Sequence, residues 1–139
     1  MGTDYFDINQ SNLRFVQDQR LFKALAEAFE SAMKANSVEK LEKALENIRK
    51  SVSSSEDPPI ELLYQTNILP GIARFLKEDY FSYTKVQTEA TWIIANVLSS
   101  DSKFTEYAVN ELNAIDGMMT TLQSPCPEVK EAVKSGLEM

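Results

Sequence analysis

Trp92 and Asn96 are the residues of this 139-residue sequence whose types and spacing point most directly to chemistry. They are four positions apart in an apolar helical pattern, so their side chains lie on one face, one turn from each other. An indole ring can pack on the methylene stem of Lys or Arg and attract the cation, while an amide offers a donor and an acceptor to a peptide backbone. The pair predicts a site for an extended basic chain. Taken alone, a tryptophan in a helix is more often a core residue, and this alternative stays open here.

Residues for catalysis are scarce. The sequence contains no His, so the commonest general base, His-containing triads and His-containing zinc sites are excluded. Its single Cys126 lies between Pro125 and Pro127, has no partner for an internal disulfide and is interpreted as a loop residue in a reducing compartment. No glycine-rich phosphate loop is present. We therefore predict a binding protein rather than an enzyme, without cofactor or metal.

The composition is that of a globular protein, with 43% hydrophobic and 25% charged residues. The net charge is −7 and the longest basic run is Arg49-Lys50, which argues against nucleic acid and suits a cationic ligand. The Glu-rich segment from Glu39 to Glu46, with its interleaved Lys and the following Arg49, is interpreted as a solvated helix face. Because the sequence shows neither a signal peptide nor a membrane span, we expect no membrane association and a cytoplasmic and nuclear location.

The sequence repeats itself. A shift of 46 positions brings many apolar and polar residues into register, and a third copy begins at Val129, 43 positions after Val86. A unit of about this length is typical of armadillo and HEAT repeats. Three helix signals in the central copy favour armadillo over the two-helix HEAT repeat. The matched pairs include Ala44 with Ala90, Ile48 with Ile94, Leu63 with Val109, Asn67 with Asn113, Leu69 with Ile115 and Leu76 with Leu122.

We predict an all-α fold, an armadillo-type right-handed superhelix of about two to three repeats with an N-terminal helical cap. The cap occupies residues 1–36, with one or two helices from Leu13 to Asn36. A partial first repeat covers 37–55, the second repeat 56–100 and a truncated third repeat 101–139, with Ser53 to Asp57 as the first linking loop. The predicted helices of the repeats are 38–52, 60–64, 68–76, 84–98, 104–110, 115–122 and one from 128 onward.

Several motifs have the order and spacing of a known family. Asp57-Pro58-Pro59-Ile60, Asn67-Ile68-Leu69-Pro70 and the segment with Val86-Gln87, Glu89, Trp92, Asn96 and Ser99 resemble the early repeats of importin-alpha, the armadillo adaptor for nuclear-localisation signals. The similarity covers roughly residues 53–129 and is weaker over 38–52.

The resemblance implies that Trp92 stacks on a basic signal peptide and that Asn96 hydrogen-bonds to it, which favours a groove position over a core position for Trp92. It further implies that Thr105 lies near the principal lysine pocket, and Ser100 stands where the family usually has glycine. By residue type alone, both Ser100 and Thr105 are simply helix-capping residues.

The neighbouring repeats depart from this pattern. The positions equivalent to Trp92 and Asn96 are Glu46 and Lys50 in the first repeat and Ser135 and Met139 in the third, so the sequence holds one Trp and Asn pair instead of several. The basic N-terminal segment by which the family recruits its carrier is missing, so docking to that carrier is not expected.

Two functions follow from these features. The first is an importin-alpha-like nuclear import adaptor whose partner is a Lys- and Arg-rich peptide. The alternative is a small armadillo scaffold that binds a different protein, or a second copy of itself, without recognising nuclear signals. The final helix, with Val129, Val133 and Leu137, has no next repeat in this sequence to cover it. Either the chain is part of a longer stack, or, if 139 residues are its full length, we expect self-association or a partner at this end.

Overall fold

The computed structural model describes residues 2–53 and 58–138, with side chains described from residue 13 onward. Within these ranges the regular structure is entirely helical, and the predicted all-α class is confirmed. Residues 54–57 of the predicted linking loop and Met139 lie outside the described residues. The α-helices are α1 (Gly2–Ala35), α2 (Val38–Ser53), α3 (Ile60–Gln65), α4 (Leu69–Ala73), α5 (Thr84–Leu98), α6 (Ser102–Asn110), α7 (Ala114–Thr121) and α8 (Pro127–Glu138), and a short 3-10 helix spans Glu78–Tyr80.

Left-handed asparagines mark three of the turns between helices. Asn36, Asn67 and Asn113 have φ values of 51°, 63° and 52°. Asparagine tolerates this conformation better than most residues, which makes it a suitable helix terminator. Asn67 follows α3 and Asn113 precedes α7 at equivalent positions of consecutive repeats, 46 residues apart. A left-handed asparagine thus occurs at the same turn of two consecutive repeats, with the 46-residue period found in the sequence.

Helix α5 lies at the centre of the domain, between α2 on one side and α8 on the other, and also contacts α4 and α6. Ile48 of α2 and Ile94 of α5, which the 46-residue shift aligns, are both fully buried. Ile93 and Val97 complete the inward face of α5. The last helices of the successive repeats therefore stand side by side, as expected for an α-solenoid.

Helix α8 approaches α5 closely because Gly136 has no side chain. A Cβ at this position would lie 2.6 Å from the Cβ of Ala95, far inside normal contact distance. Gly71 and Gly117, again 46 residues apart, make similar approaches, since a Cβ there would lie 3.2 Å from the Phe29 ring and 2.9 Å from the Leu76 Cβ respectively. Small residues at these crossings set the spacing between neighbouring repeats.

The N-terminal cap is one long helix that begins at Gly2, well before the predicted start at Leu13. The sequence predicts a buried stripe of Phe22, Leu25, Ala26, Phe29 and Met33 on this helix. The first four are buried where the helix meets the body of the domain, and Met33 is half-buried against the core. Helix α1 packs on α2 and α3 through this stripe. It thereby covers the apolar side that α2 and α3 would otherwise expose to water.

The segment between α4 and α5 is fastened by the buried Gln87 of α5. Its Nε2 donates to the carbonyl oxygen of Phe75 at 2.8 Å and to that of Lys77 at 3.0 Å. These two acceptors belong to a stretch without α-helical hydrogen bonds of its own, where an unmet buried carbonyl would be costly. Gln87 therefore links the first turn of α5 to the segment that follows α4.

Candidate functional site

Trp92 and Asn96 lie side by side in an open cleft of about 350 Å³ on the face shared by α2 and α5. Both side chains are half-buried, whereas the neighbouring Ile93 and Ile94 are fully buried in the core. The indole is therefore not a core residue. We call this cavity the Trp92 cleft, and its lining consists of Arg49, Ser53, Thr88, Glu89, Trp92 and Asn96.

The Trp92 indole is available to a ligand. In the part of the chain that the structure describes, the cation–π contacts are made by Lys103 over Tyr64 and Phe104, away from the cleft. The aromatic ring pairs of the described residues also lie elsewhere, around Tyr64 and Tyr80. An indole that is half-buried and has no described aromatic or cationic partner can accept the side chain of a bound peptide.

Asn96 has a narrower role than the sequence predicts. Its Nδ2 donates to the Trp92 carbonyl oxygen at 2.8 Å and to the Ser53 hydroxyl at 3.2 Å, so both amide hydrogens have internal partners. The expectation that Asn96 offers both a donor and an acceptor is corrected accordingly. The group left for a ligand in this conformation is the acceptor, Oδ1, which suits a peptide N–H or a cationic side chain.

Glu89 and Arg49 form a two-point ion pair at the edge of the cleft. The Arg49 Nε donates to Glu89 Oε2 at 2.7 Å, and Nη2 donates to Oε1 at 3.3 Å. The Arg49 side chain is 30% exposed and the Glu89 side chain is 10% exposed. The hydrogen bond to Glu89 raises the pKa of Arg49 above its ordinary value. Glu89 lies one turn before Trp92 on α5, so its carboxylate is the negative charge nearest in sequence to the indole.

Arg49, like Ser53 and Thr88, lines the cleft although the sequence interpretation did not place it in the site. The charge pattern places it on a solvated face, but it reaches from α2 to α5 and bonds a residue 40 positions away. Periodicity alone does not distinguish a solvated basic residue from one that faces a neighbouring helix. The opposite charges of Arg49 and Glu89 on helices related by the repeat were the available signal.

A second charged group occupies the first repeat at the position equivalent to Trp92. The Glu46 carboxylate lies 3.5 Å from Lys50 Nζ, 3.6 Å from Lys43 Nζ and 3.9 Å from Lys85 Nζ. The charge of Lys50, and then that of Lys85, hold the pKa of Glu46 below its ordinary value. Arg49 and the three lysines give this region four positive charges, whereas Glu46 and Glu89 give it two negative charges. The region is therefore locally basic, although the whole chain has a net charge of −7.

Ser100 and Thr105 are placed outside the lining of the Trp92 cleft. The Ser100 hydroxyl donates to the Val97 carbonyl oxygen at 2.6 Å, at the end of α5. The Thr105 hydroxyl donates to the Leu98 carbonyl oxygen, also at 2.6 Å. Both hydroxyls donate to carbonyl oxygens of the last turn of α5, whereas the residues at the helix caps are Ser99 for α5 and Asp101 for α6. The structure brings Trp92 and Asn96 together and leaves Ser100 and Thr105 at the adjacent turn.

The remaining reactive side chain, Cys126, lies in the loop before α8. Its thiol donates to Glu128 Oε2 at 3.0 Å, and this hydrogen bond lowers the pKa of Glu128. Among the described side chains, no cluster of three or more acidic or Cys residues could hold a metal ion. None of the helices in the described ranges has the length and apolar character that a bilayer span requires.

Comparison with known proteins finds partial similarity to importin alpha subunits. Importin subunit alpha-3 of Arabidopsis thaliana is 32% identical over 84 residues, which are 60% of this chain and 15% of that protein. Importin subunit alpha-1b of Oryza sativa subsp. japonica is 33% identical over 88 residues, 63% of this chain and 16% of the relative. Importin subunit alpha-B of Dictyostelium discoideum is 34% identical over 83 residues, 60% of this chain and 16% of the relative. A scan against models of known protein families finds no match.

The helical stack and these similarities define an armadillo-type protein-binding module. The chain is similar to importin alpha subunits over 60 to 63% of its own length, and it spans 15 to 16% of the length of these three relatives.

Proposed function

We propose that the chain binds an extended basic peptide across the Trp92 cleft, in the manner of a nuclear import adaptor. The observation that carries this proposal is the placement of Trp92, Asn96 and Glu89 together on the open face of α5. An indole, an amide acceptor and a carboxylate, one turn apart from each other, are the groups that a Lys or Arg side chain on an extended backbone would use. The cytoplasm and the nucleus are the compartments in which such an adaptor would act.

The affinity of this site depends on how much of the peptide it can contact. The position equivalent to Trp92 in the first repeat is Glu46, and that in the third repeat is Ser135. A peptide laid along α2, α5 and α8 therefore meets one indole. We expect binding that is weaker than a groove with several Trp and Asn pairs would give, because each additional aromatic contact adds to the binding free energy.

The test is the affinity of a fluorescent Lys-rich peptide, measured by anisotropy at about 0.01 M and about 0.15 M salt. An acidic peptide of equal length is the control. We expect saturable binding of the basic peptide that weakens as salt is raised, and weaker binding of the acidic one. Equal binding of both peptides, or binding that salt does not change, would contradict recognition of a basic chain.

The scaffold alternative is favoured by exposed apolar side chains on α6, α7 and α8, which we call the end face: Val109, Ile115, Met119 and Leu137. Ile115 is 42% exposed, whereas its equivalent in the central repeat, Leu69, is 1% exposed. Val109 is 39% exposed, and its equivalent Leu63 is fully buried. The same repeat positions are thus buried in the central repeat and exposed in the third. We propose that a second copy covers this face, because two identical apolar faces can meet in a twofold dimer.

Light scattering over a range of protein concentrations tests the end face. We expect a concentration-dependent dimer that the double substitution Ile115→Lys and Met119→Lys converts to a monomer, because charge on both faces opposes their contact. A wild-type chain that remains monomeric at high concentration would exclude the second copy as the occupant. The Trp92 cleft lies elsewhere on the domain, so this variant should bind the basic peptide as the wild type does.

A further inference from the structure

The Glu89 carboxylate, which a basic ligand beside Trp92 would need as its partner, is already hydrogen-bonded to Arg49. The Arg49 guanidinium makes two hydrogen bonds to Glu89, at 2.7 and 3.3 Å, and both side chains line the Trp92 cleft. A carboxylate accepts through two oxygens, and the planar fork of Arg engages both. The charge of Glu89 is therefore neutralised from within the molecule.

The other cations near the cleft are engaged differently. Lys43 and Lys50 of α2 and Lys85 of α5 all lie around Glu46. Their side chains are 68%, 56% and 49% exposed, against 30% for Arg49. Solvent screens the exposed lysines more strongly than the partly buried guanidinium. Of these four cations, Arg49 is the one that lines the cleft and bonds Glu89.

We propose that Arg49 is a specificity-determining residue that acts as an internal competitor for the basic side chain of a bound peptide. This inference rests on the proposed function. A Lys or Arg that packs on Trp92 must either share Glu89 with Arg49 or displace it, and the like charge of Arg49 opposes its approach. The wild-type cleft therefore discriminates against weakly basic peptides, because only a peptide with further contacts offsets the lost Arg49 bonds.

Replacing Arg49 tests this competition. In Arg49→Gln the guanidinium charge is removed, and the Glu89 carboxylate loses the two hydrogen bonds that Arg49 donates to it. A cationic ligand can then pair with this carboxylate, and a charge-assisted contact is worth about a factor of ten in affinity. We expect Arg49→Gln to bind the fluorescent Lys-rich peptide roughly tenfold more tightly than the wild type. The gain should disappear in the double variant Arg49→Gln with Glu89→Gln.

Lys43→Gln is the matched control. It removes the same charge from the same helix, but Lys43 bonds Glu46 and does not line the cleft. We expect its affinity for the peptide to change by less than about twofold, because an exposed charge is screened. If Lys43→Gln gained as much peptide affinity as Arg49→Gln, the gain would be explained by the change in net charge alone. That result would overturn the competitor role of Arg49.

The integrity of the fold is checked by circular dichroism and thermal unfolding, since Arg49 also links α2 to α5. If Arg49→Gln does not remain folded, Arg49→Lys keeps the ion pair and loses the planar fork, and should give a smaller gain in the same direction. Unchanged or weaker binding in a folded Arg49 variant would show that Arg49 is only an interhelical brace. That outcome leaves the proposed function intact, provided that the wild type binds through Trp92. Absence of binding in the wild type and in every variant would instead contradict the proposed function itself.

Discussion

Trp92→Ala is expected to weaken binding of a Lys-rich peptide roughly tenfold or more, a loss of at least about 1.4 kcal/mol. The indole is the largest apolar surface in the Trp92 cleft and is half-buried there beside Asn96. Removing it eliminates both the packing surface for the ligand's methylene groups and the attraction between the ring and the cation. The readout is the anisotropy titration of the fluorescent peptide with the two proteins.

Tyr83→Ala is the control for this substitution. Tyr83 is an exposed aromatic residue directly before α5, at 44% exposure, and it does not line the cleft. The variant should bind the peptide as the wild type does. Trp92→Ala should remain folded, because Trp92 lies outside the buried core that holds α5 in place. Equal losses in the two variants would indicate a general effect of exposed aromatic residues, and unchanged binding in Trp92→Ala would exclude the cleft as the peptide site.

Ile94→Ala should lower the free energy of unfolding by about 2 to 5 kcal/mol, the usual cost of truncating a buried aliphatic side chain. Ile94 is fully buried on α5, the helix that packs against α2, α8, α4 and α6. The cavity opens at the centre of the stack, where neighbouring helices cannot all move to fill it. We expect thermal unfolding to shift downward by roughly 10 °C, measured by circular dichroism.

Ile115→Ala removes the same atoms from an exposed position. Ile115 is 42% exposed on α7, so the free energy of unfolding of this variant should change by less than about 0.5 kcal/mol when it is measured at a protein concentration low enough to keep the chain monomeric. The comparison isolates burial, because the chemical change is identical in the two variants. Similar losses for Ile94 and Ile115 would contradict the placement of α5 at the centre of the domain.

Much of the fold could be predicted because the same pattern of helices recurs about every 46 residues in the sequence. The shift of 46 aligns Ile48 with Ile94 and Asn67 with Asn113, and the structure buries both isoleucines and gives both asparagines equivalent turn positions. The predicted range 84–98 coincides with α5. The start of α1 could not be predicted, because its first turns lack the apolar periodicity that identified the segment from Leu13 onward.

The candidate site was predicted in part. Trp92 and Asn96 meet in one cleft because a spacing of four places side chains on one helical face. The hydrogen bond from Asn96 to Ser53 and the ion pair of Arg49 with Glu89 depend on how α2 lies against α5. Such contacts join residues 40 or more positions apart, and local patterns carry no information about their geometry. The basic-peptide specificity of the cleft stays a prediction.

Trp92 is the only tryptophan in the chain, so its fluorescence reports directly on the proposed site. The most direct measurement is the emission of Trp92 during titration with a Lys-rich peptide that contains no Trp or Tyr, at low and at physiological salt. We predict a saturable change in emission whose midpoint moves to higher peptide concentration as salt is raised. Emission that stays constant while anisotropy reports peptide binding, or the absence of binding at both salt concentrations, would contradict peptide recognition by the Trp92 cleft.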